Sequence, residues 1–220
     1  MKRRLIVSCF LGLFFISSQA YSNSSTGIHE KHPYTFSIQK HVYKFSELYQ
    51  INSLQKETYP GTVKKSAFRI RTNYDLSDEH GWQATGITRV ISLGVLYPWA
   101  RDIDVYDTRG VQIGMIDGNM ATLESAKFNI YEYDDEGNST QVGIAYASSN
   151  FEHFAIVPSM SDPHPIAEFN RNYSDNSWKV TVNDPDKIDD RMVRIFAGFV
   201  IDFEDAFLAK QVTGNQGQEV

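Results

Sequence analysis

The sequence predicts a mostly-β fold: a closed antiparallel barrel of ten to twelve short strands, filled by a hydrophobic helix late in the chain. Three observations predict it. First, from Met192 to Ile201 every residue is apolar or glycine except Arg194. A helix that is apolar all round is buried all round. Ten residues make about 15 Å of helix, whereas a bilayer span needs roughly 20 apolar residues. Asp202, Glu204 and Asp205 end the run, so the solvent for this helix is protein. Second, nothing from Tyr34 to Val182 keeps a helical period, and short alternating segments recur throughout. Third, these segments form an imperfect repeat of strand, acidic-glycine turn and strand. A sheet that closes on itself removes its edges, and a barrel of about a dozen strands is wide enough to hold more than its own side chains.

In chain order, residues 1–20 read as a secretory signal. Lys2, Arg3 and Arg4 precede the apolar run Leu5–Ile16, and Ser18-Gln19-Ala20 places small residues at a cleavage position. Cys9, the only cysteine, leaves with it. Three of the 21 basic residues leave too, so 18 remain against 27 acidic ones, a balance of −9. A domain of this length can bury enough core without disulfides. The reading is an exported protein of a bacterial periplasm or of the cell exterior. Residues 21–33 are polar and aperiodic, a flexible leader. Tyr34–Ile51 reads as one or two strands, with a change of phase near His41–Tyr43. Residues 52–61 read as a connection ending in the turn dipeptide Pro60-Gly61.

The repeat follows. Phe68-Arg69-Ile70 leads through Asp78-Glu79-His80-Gly81 to Gly86-Ile87. Ile103–Asp107 leads through Arg109-Gly110 to Ile113-Gly114. Phe128–Tyr131 leads through Asp134–Gly137 to Val142-Gly143. Glycine after the acidic residue suits a hairpin position with positive φ. Strand-like stretches at Thr88–Tyr97, Ala121–Lys127 and Phe151–Val157 join these units. A last pair, Pro165–Phe169 and Trp178–Val182, flanks a polar loop. Asp184-Pro185 offers an N-cap with proline at the first helical position, so the helix is expected over about 184–209. Asp190 and Arg194 have the favoured order for an ion pair four residues apart. A calcium loop at 184–190 is the competing reading, but Asp189 stands where an EF-hand needs glycine. Residues 211–220 read as a tail.

The hairpin Val105–Gly114, its echo at Ile130–Gly143, the pair Ile166–Phe169 with Trp178–Val180, and the late apolar helix resemble the LURP-one-related domain. That family stands with tubby C-terminal domains and phospholipid scramblases. The resemblance covers about residues 34–210 and implies a tubby-like barrel of twelve strands around a central C-terminal helix. Tubby domains bind phosphoinositides through basic residues, and those positions do not map one by one onto this sequence. The stretch Tyr74–Gly86 is longer than the common pattern, and export departs from the intracellular setting of the better-known members.

The sequence holds no HExxH, CxxC, GxSxG, P-loop or GxGxxG pattern, so no catalytic residue, metal or cofactor is expected. An acidic chain is repelled by nucleic acid and, on average, by anionic membranes. His153, His164 and Asp162 form a conceivable metal set, for which solvated loop positions are the simpler reading. Asp102 and Asp104 alternate on one face like a carboxylate pair, for which turn hydrogen bonding is the simpler reading. Trp82, Trp99 and Trp178 suggest an aromatic core, with a carbohydrate platform as the minority reading. Lys64, Lys65, Arg69 and Arg71 cluster at the first unit and suit a phosphate or anionic headgroup; a solvated strand face is the alternative. The function these features predict is a non-enzymatic exported binding module for a lipid headgroup, an anionic ligand or a protein partner. The alternative is a hydrolase with a carboxylate site.

Overall fold

In a computed structural model of the chain, the structure describes residues 32–43, 46–55, 59–66, 71–89, 101–122 and 125–215. The expected signal segment, nearly all of the leader and most of the strand expected at Thr88–Tyr97 lie outside the described residues. Twelve strands form one closed barrel in which each pairs with its neighbours in sequence and the first closes on the last. They are β1 (Tyr34–Tyr43), β2 (Ser46–Ser53), β3 (Gly61–Ser66), β4 (Asn73–Asp78), β5 (Gly81–Thr88) and β6 (Ile103–Asp107). Then come β7 (Gln112–Thr122), β8 (Ser125–Tyr133), β9 (Ser139–Ala147), β10 (His153–Val157), β11 (Ala167–Asn172) and β12 (Ser177–Val182). All pairings are antiparallel, and β1 seals against β12 from Tyr34↔Val182 to Gln39↔Ser177.

The period of two that marks each strand sends one face inward. Tyr34, Phe36 and Ile38 on β1 and Ile103 and Val105 on β6 are buried, while the residues between them are partly exposed. Three bulged hairpins stand at the three acidic-glycine turns; in the first, the strand before the turn is β4 (Asn73–Asp78), and the strand expected at Phe68–Ile70 lies outside the described residues. Gly81, Gly110 and Gly137 all have positive φ, at 105°, 77° and 83°. The register shifts at Leu76/Ser77, Val105/Tyr106 and Ile130/Tyr131, once beside each turn. One aspartate opens each turn: Asp107 Oδ1 accepts the amides of Arg109 and Val111, and Asp134 Oδ1 those of Glu136 and Asn138. Asp78 Oδ1 accepts the amide of His80 in the same way. A bulge adds local twist and curvature, which is what closure requires.

The helix α1 (Asp190–Asn215) lies inside the barrel over Asp190–Glu204. Every residue from Met192 to Ile201 is buried, so every side of this part of the helix is covered; Val193, Phe196, Phe199 and Val200, which share one face, are each 0% exposed. Phe128 on the wall meets Phe196 and Phe199 edge-on at 5.8 and 5.2 Å. Where the helix comes closest, the wall has no side chain: a Cβ on Gly86 would sit 2.7 Å from Ile195, and one on Gly114 2.7 Å from Met192 Sδ. No helix among the described residues is long and apolar enough to cross a membrane.

Three boundaries differ from the sequence reading. The helix, expected to end near Ala209 with 211–220 as a tail, runs on to Asn215. The helix starts at Asp190 and not at Asp184-Pro185. Asp189 is the cap: its carbonyl accepts Met192 and Val193, and its Oδ1 accepts the amide of Arg191 at 2.8 Å. Residues 183–188 are tied elsewhere, because the Ile166 carbonyl takes the amides of both Asn183 and Asp184. Pro185 and Ile188 are buried in that connection, which turns the chain from β12 into the barrel. The stretch after Pro60-Gly61 is itself a strand, β3. It carries one buried apolar residue, Val63, and so presents almost no apolar alternation.

Candidate functional site

The four basic residues singled out in the sequence do not share one environment. Arg69 lies outside the described residues. Lys64 is exposed on the outer face of β3, opposite Leu48 and Asp75 on the neighbouring strands, and Arg71 is exposed beyond the end of β3. Lys65 follows the inward face set by Val63 and is committed to Asp202 and Glu47. It belongs to an ionic network around the second half of α1. Asp202 also accepts Tyr74 Oη and Arg101 Nη1, both at 2.7 Å. Lys40 bridges Glu47 and Asp205, and Glu204 accepts Arg171 Nε at 2.7 Å and Trp178 Nε1 at 2.9 Å.

Among the described residues four cations thus face four carboxylates, and these leave no net charge there for a ligand. Burial pushes the Asp202 carboxyl up, but Lys65, Arg101 and the Tyr74 hydroxyl outweigh it and hold its pKa below the usual value. Glu47 is also lowered: burial is overcome by hydrogen bonds from Lys40 and Lys65.

One concave feature of the outer surface lies over β4, β5 and β6. Tyr74 and Leu76 point inward from β4, so Asn73 and Asp75 face outward. On β5, Ala84 and Gly86 line the interior, leaving Thr85 and Ile87 outside; on β6 the outward residue is Tyr106. Together with Trp82, Asp107 and Gly110 these residues line a cleft of about 580 Å³, within the size range of small-molecule sites.

One hydrogen-bonded chain fixes part of its floor. Trp82 Nε1 donates to the Ala84 carbonyl at 3.0 Å and to Thr85 Oγ1 at 2.9 Å, and Thr85 Oγ1 donates to Asp75 Oδ1 at 2.8 Å. The Trp82 ring is held at its nitrogen while remaining 46% exposed. Asn73 is only 4% exposed, yet its side-chain amide has no hydrogen-bond partner among the described residues. Here the amide opens onto the cleft. Asp107 is buried by its turn, and burial pushes its carboxyl up; amides of Val111 and Arg109 and the Arg109 guanidinium more than reverse that.

Of the cleft, the sequence reading singled out only Trp82. Trp178 is core, 1% exposed, and Trp99 lies outside the described residues. Asn73, Asp75, Thr85 and Tyr106 come from three strands and meet only through the register. The carboxylates considered earlier have other partners. Asp104 takes Arg89 through Nε and Nη2, and Gln112 donates to it as well. Asp102 accepts the Gly118 amide and faces Asp117; burial first and that neighbouring charge second raise its pKa. His153 pairs with Asn170 and His164 with Asp162, and no three metal-ligating side chains converge among the described residues. No family model matches the sequence, and no curated protein matches it.

Proposed function

We propose that the chain is a non-enzymatic binding module, exported by its N-terminal signal, whose ligand seats in the outer cleft over β4, β5 and β6. The observation that carries this reading is Asn73: a nearly buried residue whose amide has no hydrogen bond among the described residues and opens onto a cleft whose tryptophan is pinned at its nitrogen. Convergent polar groups around an apolar ring are what a small-molecule site offers. A lipid headgroup or other anion at the Lys64–Arg71 cluster has less support, because Lys65 is neutralised inside the barrel. The closed barrel around its helix also supports the LURP-one-related, tubby-like family reading.

A ligand-observed screen of a chemically mixed fragment library tests the module. Hits should bind the full chain, disappear with Trp82→Ala, and be recovered chemically unchanged. A screen without any Trp82-sensitive hit, or turnover of a hit, overturns it. The hydrolase reading rests on one observation, the contact of Asp102 with Asp117 and the raised pKa of the former, since paired carboxyls split into acid and base. Turnover lost in Asp117→Asn would favour it.

A further inference from the structure

We propose that the ligand of this cleft is a neutral carbohydrate; the inference rests on the binding-module reading and specifies it. A sugar ring presents two chemistries at once: a face of C–H groups and a rim of hydroxyls that both donate and accept. The cleft presents the complement of each.

For the apolar face there are Trp82 and Tyr106, with Ile87 beside them. An aromatic ring binds best when its orientation is already fixed, because less freedom is lost on binding. Trp82 meets that condition: both of its nitrogen's hydrogen bonds are to residues of its own strand.

For the rim there is a mixed set of donors and acceptors. The Asn73 amide offers two donor hydrogens and one acceptor oxygen, none of them used among the described residues. Asp75 spends Oδ1 on Thr85, and no hydrogen bond to its Oδ2 is present among the described residues. The Tyr106 hydroxyl is likewise without a hydrogen bond among the described residues. A carboxylate oxygen, a carboxamide and a phenol facing one space match vicinal hydroxyls better than they match a ligand that only accepts.

Charge narrows the class. The carboxylates lining the cleft are Asp75 and Asp107, and Arg109 is already spent on Asp107. Lys64 stands across the ladder from Asp75, with no ion pair to it among the described residues. Among the described residues no cation lines the cleft itself. A phosphorylated or sulfated glycan would bring its charge against Asp75, whereas a neutral one would not.

The test is calorimetric titration of the full chain with neutral oligosaccharides of glucose, N-acetylglucosamine, xylose and maltose type, with a sulfated heparin fragment as the anionic control. At least one neutral glycan should bind saturably. Trp82→Ala and Asn73→Asp should each weaken it about tenfold or more, the loss of one good contact, while Trp82→Phe should retain most of the affinity. Thermal unfolding of each variant checks the fold, and the exposed Trp82 makes its variants safe should Asn73→Asp be unstable. If fragments bind in a Trp82-dependent way but no neutral glycan does, the carbohydrate inference falls and the module stands. Tighter binding of the sulfated fragment, or glycan binding indifferent to both Trp82→Ala and Asn73→Asp, also overturns it.

Discussion

Arg194 and Asp190 form an ion pair one helical turn apart inside the barrel, the guanidinium 0% exposed and the carboxylate 3%. The Tyr34 hydroxyl donates to the same carboxylate. Arg194 Nη1 donates to the Tyr59 carbonyl at 2.8 Å, and its Cζ lies 5.3 Å from the centre of the Phe36 ring. The single polar residue in the apolar run is therefore the tie between the start of the helix and the wall.

Breaking such a pair from one side leaves a charge stranded in the interior. Arg194→Met is expected to cost about 3–5 kcal/mol, and the double variant Asp190→Asn/Arg194→Met considerably less. Urea denaturation of the two variants checks this. A single-variant loss under about 1 kcal/mol, the range of surface sites, would mean that the pair is dispensable.

Phe196 tests whether the helix is the core. Its ring meets Phe169 at 5.3 Å, Phe128 at 5.8 Å, Phe199 at 5.9 Å and Phe154 at 6.2 Å. Phe196→Ala should cost about 3–5 kcal/mol, the usual range for a buried phenylalanine. Full refolding at near wild-type stability would contradict the central placement.

What could be read from the sequence was local. The apolar run could not be satisfied on any surface, and the acidic-glycine turns carry their own chemistry in Asp107 and Asp134. What could not be read was competition at a distance. Asp184-Pro185 has the right chemistry for a cap, but the carbonyl of Ile166, on the far side of a hairpin, takes the amides of Asn183 and Asp184. Lys64 and Lys65 look like one cluster in the sequence; the strand sends the first out to solvent and the second in to Asp202. Asn73 and Tyr106 become neighbours only because β5 lies between β4 and β6.

Stability should fall on the acid side. The folded pKa values of Asp202 and Glu47 lie below their ordinary values, so their contribution is present above the unfolded-state carboxyl range of about 4. It is lost as pH falls through the lower folded values. Asp190 has the opposite sign: burial raises its pKa against Arg194 and Tyr34, so its share is lost as pH rises through the folded value. Asp202→Asn should therefore be less stable at neutral pH and lose less between about pH 4 and 2. Melting temperatures across that range measure both, and an unchanged acid slope in the variant would remove Asp202 from the account.

The last prediction concerns membranes. A basic residue near an anionic surface contributes about 1 kcal/mol. Of the four residues Lys64, Lys65, Arg69 and Arg71, Lys65 is already neutralised by Asp202 and Glu47. Lys64 and Arg71 remain exposed among the described residues, which makes about 2 kcal/mol, weaker than millimolar binding. Acidic residues within the screening length of about 8 Å at physiological salt oppose even that. Vesicles of phosphatidylserine and phosphatidylcholine in sedimentation assays should therefore retain little of the protein at any ratio of the two lipids. Submicromolar retention on the anionic vesicles, abolished by Lys64→Glu with Arg71→Glu, would reveal a headgroup pocket at this end of β3. It would move the ligand from the cleft to the membrane surface.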